Sequence, residues 1–216
     1  MIKLNNIVFK YDNTNVPILN NVSFELNKGE IMAVVGPSGG GKSTLLRIIS
    51  GLEQPFSGSI EINQKMVFNK VTNVKPENRG IGMVFQDYAL FPHMTVEKNI
   101  AYGVDHIPKK ERKLRIETML ELVNLKGYEK RYPHQLSGGQ QQRIALARAL
   151  APKPKILLLD EPFSNLDTEM LEKVRNELFE IINFTQITTI MVTHNPEDAK
   201  TADIILRLVS GKMSIV

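Results

Sequence analysis

Gly36-Pro37-Ser38-Gly39-Gly40-Gly41-Lys42-Ser43 fits the spacing G-x-x-x-x-G-K-[ST], with lysine and hydroxyl at fixed places. The apolar run Ile31-Met32-Ala33-Val34-Val35 precedes it, and Leu45, Ile48, Ile49 and Leu52 follow at helical spacing, which predicts strand, loop and helix. Glycines at Gly36, Gly39, Gly40 and Gly41 let the backbone curl, with Pro37 and Ser38 in the same turn, so that its N–H groups and the helix dipole surround a β-phosphate. Lys42 can neutralise β and γ oxygens, Ser43 can ligate magnesium, and Thr44 follows as an α-phosphate contact. A merely flexible glycine turn would not require Lys-Ser at its end.

Three further places could complete such a site. Ile156-Leu157-Leu158-Leu159 is an apolar strand ending in Asp160-Glu161. A carboxylate at that edge can hold magnesium through water, and Glu161, one residue nearer the γ-phosphate, can polarise an attacking water as general base. Taken alone, Glu161 could equally cap a helix or form an ion pair. Leu136-Ser137-Gly138-Gly139-Gln140, followed by Gln141-Gln142-Arg143, is a second glycine turn opening a helix and so a second anion site. His194 follows the apolar strand ending Val192-Thr193, a position where a solvent-facing histidine is also common.

These groups need a frame. Alternation through Ile7-Val8-Phe9 and Val22-Ser23-Phe24-Glu25-Leu26 predicts antiparallel strands up to about Gly29, and Ser59–Ile62 with Met66–Phe68 a further pair before Ile81–Phe85. From about Ala89 to Leu150 the period turns helical, with Ile116, Met119, Leu120 and Val123 on one face and Ile144, Ala147 and Leu150 on another. Leu171, Val174, Leu178 and Ile181 mark an amphipathic helix, and Thr188–Val192 a third buried strand. Buried strands alternating with helices predict a parallel α/β core.

Composition narrows the function classes. The 216 residues suit one domain with a tightly joined subdomain, and 42% hydrophobic with 23% charged residues is ordinary globular usage. No run approaches the roughly 20 apolar residues of a membrane span, and Met1–Asn6 lacks a secretory layout, so a cytoplasmic chain is expected. The absence of cysteine excludes disulfides, thiolate metal sites and cysteine nucleophiles. Net charge is +4, and the densest basic cluster, Lys109-Lys110-Glu111-Arg112-Lys113, reads as a solvated helix face, so no nucleic-acid partner is expected. His93, His106 and His134 have no metal-ligand spacing and are expected to be structural or surface residues.

Two phosphate turns in one chain carry a resemblance. Gly36–Ser43 resembles the Walker A motif and Leu136–Gln140 the signature motif of ABC-type ATPases. The resemblance extends to an aromatic A-loop at Tyr11, a Q-loop at Gln86, a Walker B segment at Ile156–Asp160, a D-loop at Ser164-Asn165-Leu166-Asp167 and a switch histidine at His194. It implies an α/β fold: a P-loop NTPase (RecA-like) core, about 1–88 and 155–216, with an N-terminal antiparallel β subdomain and an inserted helical signature subdomain, about 89–154. It also implies ATP and Mg2+ as ligands. Tyr11 would stack on adenine, Ser43, Gln86 and Asp160 would hold magnesium, Gln86 would also touch the attacking water, and His194 would contact the γ-phosphate. Two copies would pack head to tail, each lending Ser137, Gly138, Gly139 and Gln140 to the other's nucleotide.

Val84 to Val96 and Glu161 to Asp167 look like the same segments of importer ATPases for ferric ion, polyamines, sulfate, molybdate, thiamine and maltose, with Ala149–Pro152 and Ser164–Asp167 leaning toward ferric-type importers. This implies a transmembrane permease seated near Gln86, an external substrate-binding protein acting indirectly, and a peripheral place on the cytoplasmic face of the inner membrane. Tyr88, Leu90 and Phe91 fit either a buried core or a groove for a permease helix. Two departures stand out: no additional C-terminal regulatory β domain is expected in a chain ending at Val216, and Asn195 replaces the usual aspartate after the switch histidine. The rival class is a soluble ABC-type ATPase acting on DNA or ribosomes, which predicts a coiled coil, a tandem copy or a strong basic surface.

Overall fold

The computed structural model describes residues 1–11, 16–166 and 168–215. In chain order the elements are β1 Ile2–Phe9, β2 Leu19–Leu26, β3 Ile31–Val35, α1 Lys42–Ser50, β4 Ser57–Ile62, β5 Lys65–Phe68, β6 Ile81–Val84, α2 Val96–Ala101, α3 Lys109–Leu122 and α4 Gly138–Leu150. They continue with β7 Ile156–Asp160, α5 Thr168–Thr185, β8 Thr188–Thr193, α6 Pro196–Ala199, β9 Ile204–Val209 and β10 Lys212–Ile215. These form two compact units, Met1–Ile81 with Gln186–Val216, and Gly82–Thr185.

In the first unit an antiparallel sheet runs β2-β1-β4-β5. Ile2, Leu4, Ile7 and Phe9 of β1 are buried, and the step from Leu4 to Ile7 breaks strict alternation. The register shifts there, and Asn6 sits at φ 50, the left-handed region that asparagine tolerates; the extra residue keeps the apolar side chains on one face. Beside it lie β10-β9-β3-β8, with β3 parallel to both β9 and β8. Every residue of β8 is buried, as expected for a parallel strand covered on both faces.

The β9–β10 hairpin is not among the sequence-based expectations, although Ser210-Gly211 between apolar runs is a turn signal. Helix α1 runs between two left-handed glycines, Gly41 at φ 92 and Gly51 at φ 87, and buries Leu45, Leu46, Ile48 and Ile49. Its last carbonyls are held by Arg79, only 3% exposed, which donates to Ile48 O at 2.9 Å and Ile49 O at 3.0 Å. The same guanidinium donates to Val74 O at 2.8 Å and Asn73 Oδ1 at 3.1 Å, and burial lowers its pKa from the usual arginine value.

The second unit holds β6 beside β7, with α2 to α5. Ile116, Met119, Leu120 and Val123 are buried on and just after α3, as are Ile144, Ala147 and Leu150 on α4, matching the helical faces expected from their spacing. Val174, Leu178 and Ile181 bury the inner face of α5. Arg115 of α3 donates to Leu150 O at 2.7 Å and Ala151 O at 2.8 Å, satisfying carbonyls at the end of α4. Among the described residues no helix is long and apolar enough to cross a membrane.

Candidate functional site

On the first unit the phosphate loop leaves the carboxyl end of β3, where ligands of open α/β sheets bind. Gly36 packs against backbone: a Cβ there would lie 2.1 Å from Leu208 O of β9. Pro37, Ser38 and Gly39 form an exposed tip, and nothing lies within 4 Å of a Cβ placed on Gly39. Gly40 N donates to Pro37 O at 3.1 Å, closing the turn. The N-terminus of α1 has no side-chain cap and no acidic residue in its first turn. A helix N-terminus without a side-chain cap or a first-turn acid, placed behind a glycine loop, makes a cradle suited to an anion.

Lys42, 4% exposed, donates its ammonium to Gly36 O at 3.0 Å and Pro37 O at 3.1 Å, so it already arches over the loop. Ser43 and Thr44 follow in the first turn of α1, both partly buried. Tyr11 lies just past the end of β1 and is 37% exposed, rather than in the strand core. Its ring meets Phe9 edge-on at 4.9 Å, and its hydroxyl lies 3.4 Å from that of Thr44. An exposed aromatic face is therefore held next to the phosphate loop.

Parallel pairing of β3 with β8 sets Val35 opposite Thr193, so Gly36 and His194 both follow the same sheet edge. His194 is exposed in that turn. Thr193 Oγ1 donates to the buried carboxylate of Asp198 at 2.7 Å and accepts from Asn195 N at 3.0 Å. Asn195 caps α6, accepting from Glu197 N at 3.1 Å. Asparagine and aspartate are equivalent N-caps, which explains why Asn195 serves at this position.

On the second unit β7 delivers Asp160, 6% exposed, at its end, with Glu161 immediately after. Glu161 sits at φ 44, left-handed for a residue with a Cβ, a conformation that costs about 1–3 kcal/mol and concentrates at functional sites. Its carbonyl accepts from Ser164 N at 3.2 Å and Ser164 Oγ at 3.0 Å, which hold the turn. Gln86 is exposed in the loop after β6, and its carbonyl accepts from the side-chain amide of Asn165 at 2.8 Å. Asp167, expected in the same turn, lies outside the described residues.

The second glycine turn opens α4 through a capping box: Ser137 Oγ accepts from Gln140 N at 3.4 Å, and Gln140 Oε1 accepts from Ser137 N at 3.0 Å. Gly138 and Gly139 are the first residues of the helix. A Cβ on Gly139 would come within 2.9 Å of Val174 Cγ2, so its small size serves the packing of α5. Ser43 of the first unit offers a hydroxyl oxygen, and Asp160 and Gln86 of the second offer carboxylate and amide oxygens, each a hard donor of the kind magnesium takes. Among the described residues no three His, Cys, Asp or Glu cluster as a metal site, and His93, His106 and His134 are all exposed.

Tyr88 and Phe91 differ in exposure. Tyr88 is buried, at 5% exposed, while Leu90 and Phe91 are half-buried. Sequence reasoning missed Arg79, Asn99 and Arg148, because a buried polar side chain that serves distant backbone leaves no periodic signal.

The family model described as ABC transporter matches residues 19–164. The chain is 45% identical over 222 residues to the sulfate/thiosulfate import ATP-binding protein CysA 1 of Agrobacterium fabrum, covering 100% of this chain and 62% of that protein. It is 46% identical over 203 residues to the putrescine transport ATP-binding protein PotG of Escherichia coli, covering 93% of this chain and 52% of that one. The chain thus spans about half to three fifths of the length of the curated relatives it matches. A solved dimeric ATP-binding cassette in a post-hydrolysis state, bound to ADP and Pi, superposes with a TM-score of 0.83 at 31% identity, covering 100% of this chain and 98% of that one.

Proposed function

The chain belongs to the ABC transporter family, and from that premise we propose that it binds and hydrolyses ATP as half of a nucleotide-sandwich dimer that drives a separate importer permease. The observation that carries this reading is the uncapped N-terminus of α1 behind a glycine loop, with Lys42 arched over it and Tyr11 beside it. The nucleotide phosphates take the loop amides and Lys42, and adenine takes the Tyr11 face. Ser43, Gln86 and Asp160 would hold magnesium, which would supply charge neutralisation at the phosphate oxygens.

Glu161 accepts a proton from the attacking water as general base, with Gln86 and His194 orienting that water and the γ-phosphate. Ser137, Gly138, Gly139 and Gln140 act on the nucleotide of a second copy, and the similarity to a dimeric cassette supports the pairing of two copies. Closure and reopening of the two copies is the motion delivered to a permease seated near Gln86 on the cytoplasmic face of the membrane.

The cargo class proposed is a small solute or ion, ferric ion included. Relatives of similar identity are named for an anion, sulfate, and for a polyamine cation, putrescine. ATP-binding chains this alike therefore serve cargoes of opposite charge, and the permease with its external binding protein makes the choice. The test is ATPase activity of the chain alone and then with its permease in lipid, adding loaded binding proteins in turn. Stimulation by one of them supports the importer and identifies the cargo; steady hydrolysis with no permease association supports the soluble ATPase instead.

A further inference from the structure

The loop after β6 contains two adjacent residues with left-handed backbone, Tyr88 at φ 62 and Ala89 at φ 46. Neither is glycine, asparagine or aspartate, so the conformation persists only where the surroundings impose it. The Tyr88 ring is buried and its hydroxyl has no hydrogen-bond partner, so the side chain contributes packing without a polar anchor. Beside the turn bond from Tyr88 N to Phe85 O at 2.9 Å, the pair is held by one guanidinium. Arg148 donates Nη2 to Tyr88 O at 2.9 Å and Nη1 to Ala89 O at 2.7 Å, and its Cζ lies 5.4 Å from the centre of the Phe91 ring.

The far end of the loop is fixed as well. Asn99 of α2 is fully buried, accepts from Phe91 N at 2.9 Å, and donates to the carbonyls of Phe91, Met94 and Thr95 at 3.1 to 3.2 Å. Arg148 itself stands in the last turn of α4, the helix whose first turn carries Ser137, Gly138 and Gly139. At 1.5 Å rise per residue the two ends of α4 are about 15–20 Å apart on one rigid rod. Arg115, donating to Leu150 O and Ala151 O, stiffens the end that holds Arg148.

We propose that Arg148 is a positioning residue that couples the loop after Gln86 to the signature turn, its fork converting displacement of the Tyr88–Ala89 backbone into movement of α4. The transport role of this coupling rests on the proposed function; the coupling inside the chain does not. A lysine ammonium lacks the fixed planar fork that spans Tyr88 O and Ala89 O here, so Arg148→Lys keeps the charge and loosens the device. Glycine at position 89 adopts left-handed backbone unaided, so Ala89→Gly restores the loop shape without the fork.

The first arm is hydrogen exchange of the full chain. Arg148→Lys is expected to speed exchange about tenfold at Tyr88, Phe91 and Met94 N–H and also at Gln140 and Gln141 N–H, which are bonded to Ser137. Acceleration at the loop alone, with α4 unchanged, overturns the coupling. The second arm is permease-stimulated ATPase in lipid, expected to fall about tenfold in Arg148→Lys while nucleotide affinity stays within about twofold, and to recover at least half in Arg148→Lys with Ala89→Gly. A fold-stabilising role alone would lower the melting temperature without that recovery, and overturns the proposal. A wild-type chain that never hydrolyses ATP refutes the proposed function, while the exchange arm still decides the coupling.

Discussion

The side-chain amide of Asn165 donates to the main-chain carbonyl of Gln86 at 2.8 Å, so the turn after β7 and the loop after β6 are tied at one point. Two residues proposed to order water and magnesium, Glu161 and Gln86, thus hang on segments that share a hydrogen bond. Asn165→Ala removes a neutral hydrogen bond, worth about 1 kcal/mol, and is expected to lower turnover about fivefold with nucleotide affinity little changed. Asn165→Asp puts a second acceptor against the same carbonyl and is expected to cost more than the alanine variant. Steady-state ATPase with separate nucleotide titrations checks both, and an aspartate variant as active as wild type would show that the bond does not position Gln86.

Glu161 combines a proposed chemical role with an unfavourable backbone. Glu161→Gln keeps size and φ but removes the base, so ATP should still bind while hydrolysis falls by about 10²–10⁴. Glu161→Gly also removes the base but relaxes the strain at φ 44, so hydrolysis should be lost while the melting temperature rises by roughly 2–4 °C for each kcal/mol relieved. Opposite signs for stability and activity at one position distinguish functional strain from a simple structural turn. A glycine variant that melts below wild type would mean that the Glu161 side chain stabilises the turn more than its backbone conformation costs.

What the sequence revealed and what it hid divide along physical lines. The phosphate loop was legible because its chemistry is local: glycines, lysine and hydroxyl act within one turn, and Ile31–Val35 and Leu45–Ile49 announce the strand and helix around it. The capping box of Ser137 and Gln140 is local in the same way. Tyr11 was placed by resemblance, whereas its exposure depends on the chain leaving β1 at Phe9. Arg79 and Arg148 stayed hidden because their partners, Ile48 and Tyr88, lie 31 and 60 residues away in the chain. Charged residues amid a helical or turn pattern look like solvated surface until the fold brings backbone carbonyls to them.

Gly36 and Gly39 share a loop but have different reasons to be glycine. A Cβ on Gly36 meets Leu208 O at 2.1 Å, and backbone of a buried strand cannot step aside, so Gly36→Ala should displace the loop from β9. The expected result is loss of measurable ATP binding and destabilisation of about 2–4 kcal/mol in denaturant unfolding. Gly39 has open space around it and needs glycine only for φ +75, so Gly39→Ala should cost about 1–2 kcal/mol and weaken binding without abolishing it. Equal losses in the two variants would show that the backbone angle, and not the approach of β9, governs the loop.

Arg79 works at the opposite end of α1 from the glycine loop. Its guanidinium satisfies Ile49 O, adds a second donor to Ile48 O beside Gly51 N at 3.1 Å, and places positive charge where the macrodipole is negative. Three carbonyl bonds plus the bond to Asn73 fix the whole fork, so lysine can replace only part of it. Arg79→Met leaves buried carbonyls unpaired and is expected to lower unfolding stability by about 2–4 kcal/mol, with Arg79→Lys falling between it and wild type. Because α1 then loses a fixed C-terminal anchor, the ATP dissociation constant of the folded fraction should also rise, by about threefold to tenfold, as measured well below the melting transition. Unchanged affinity beside lowered stability would confine Arg79 to holding the fold, and would leave placement of the phosphate cradle to β3 and the glycine loop alone.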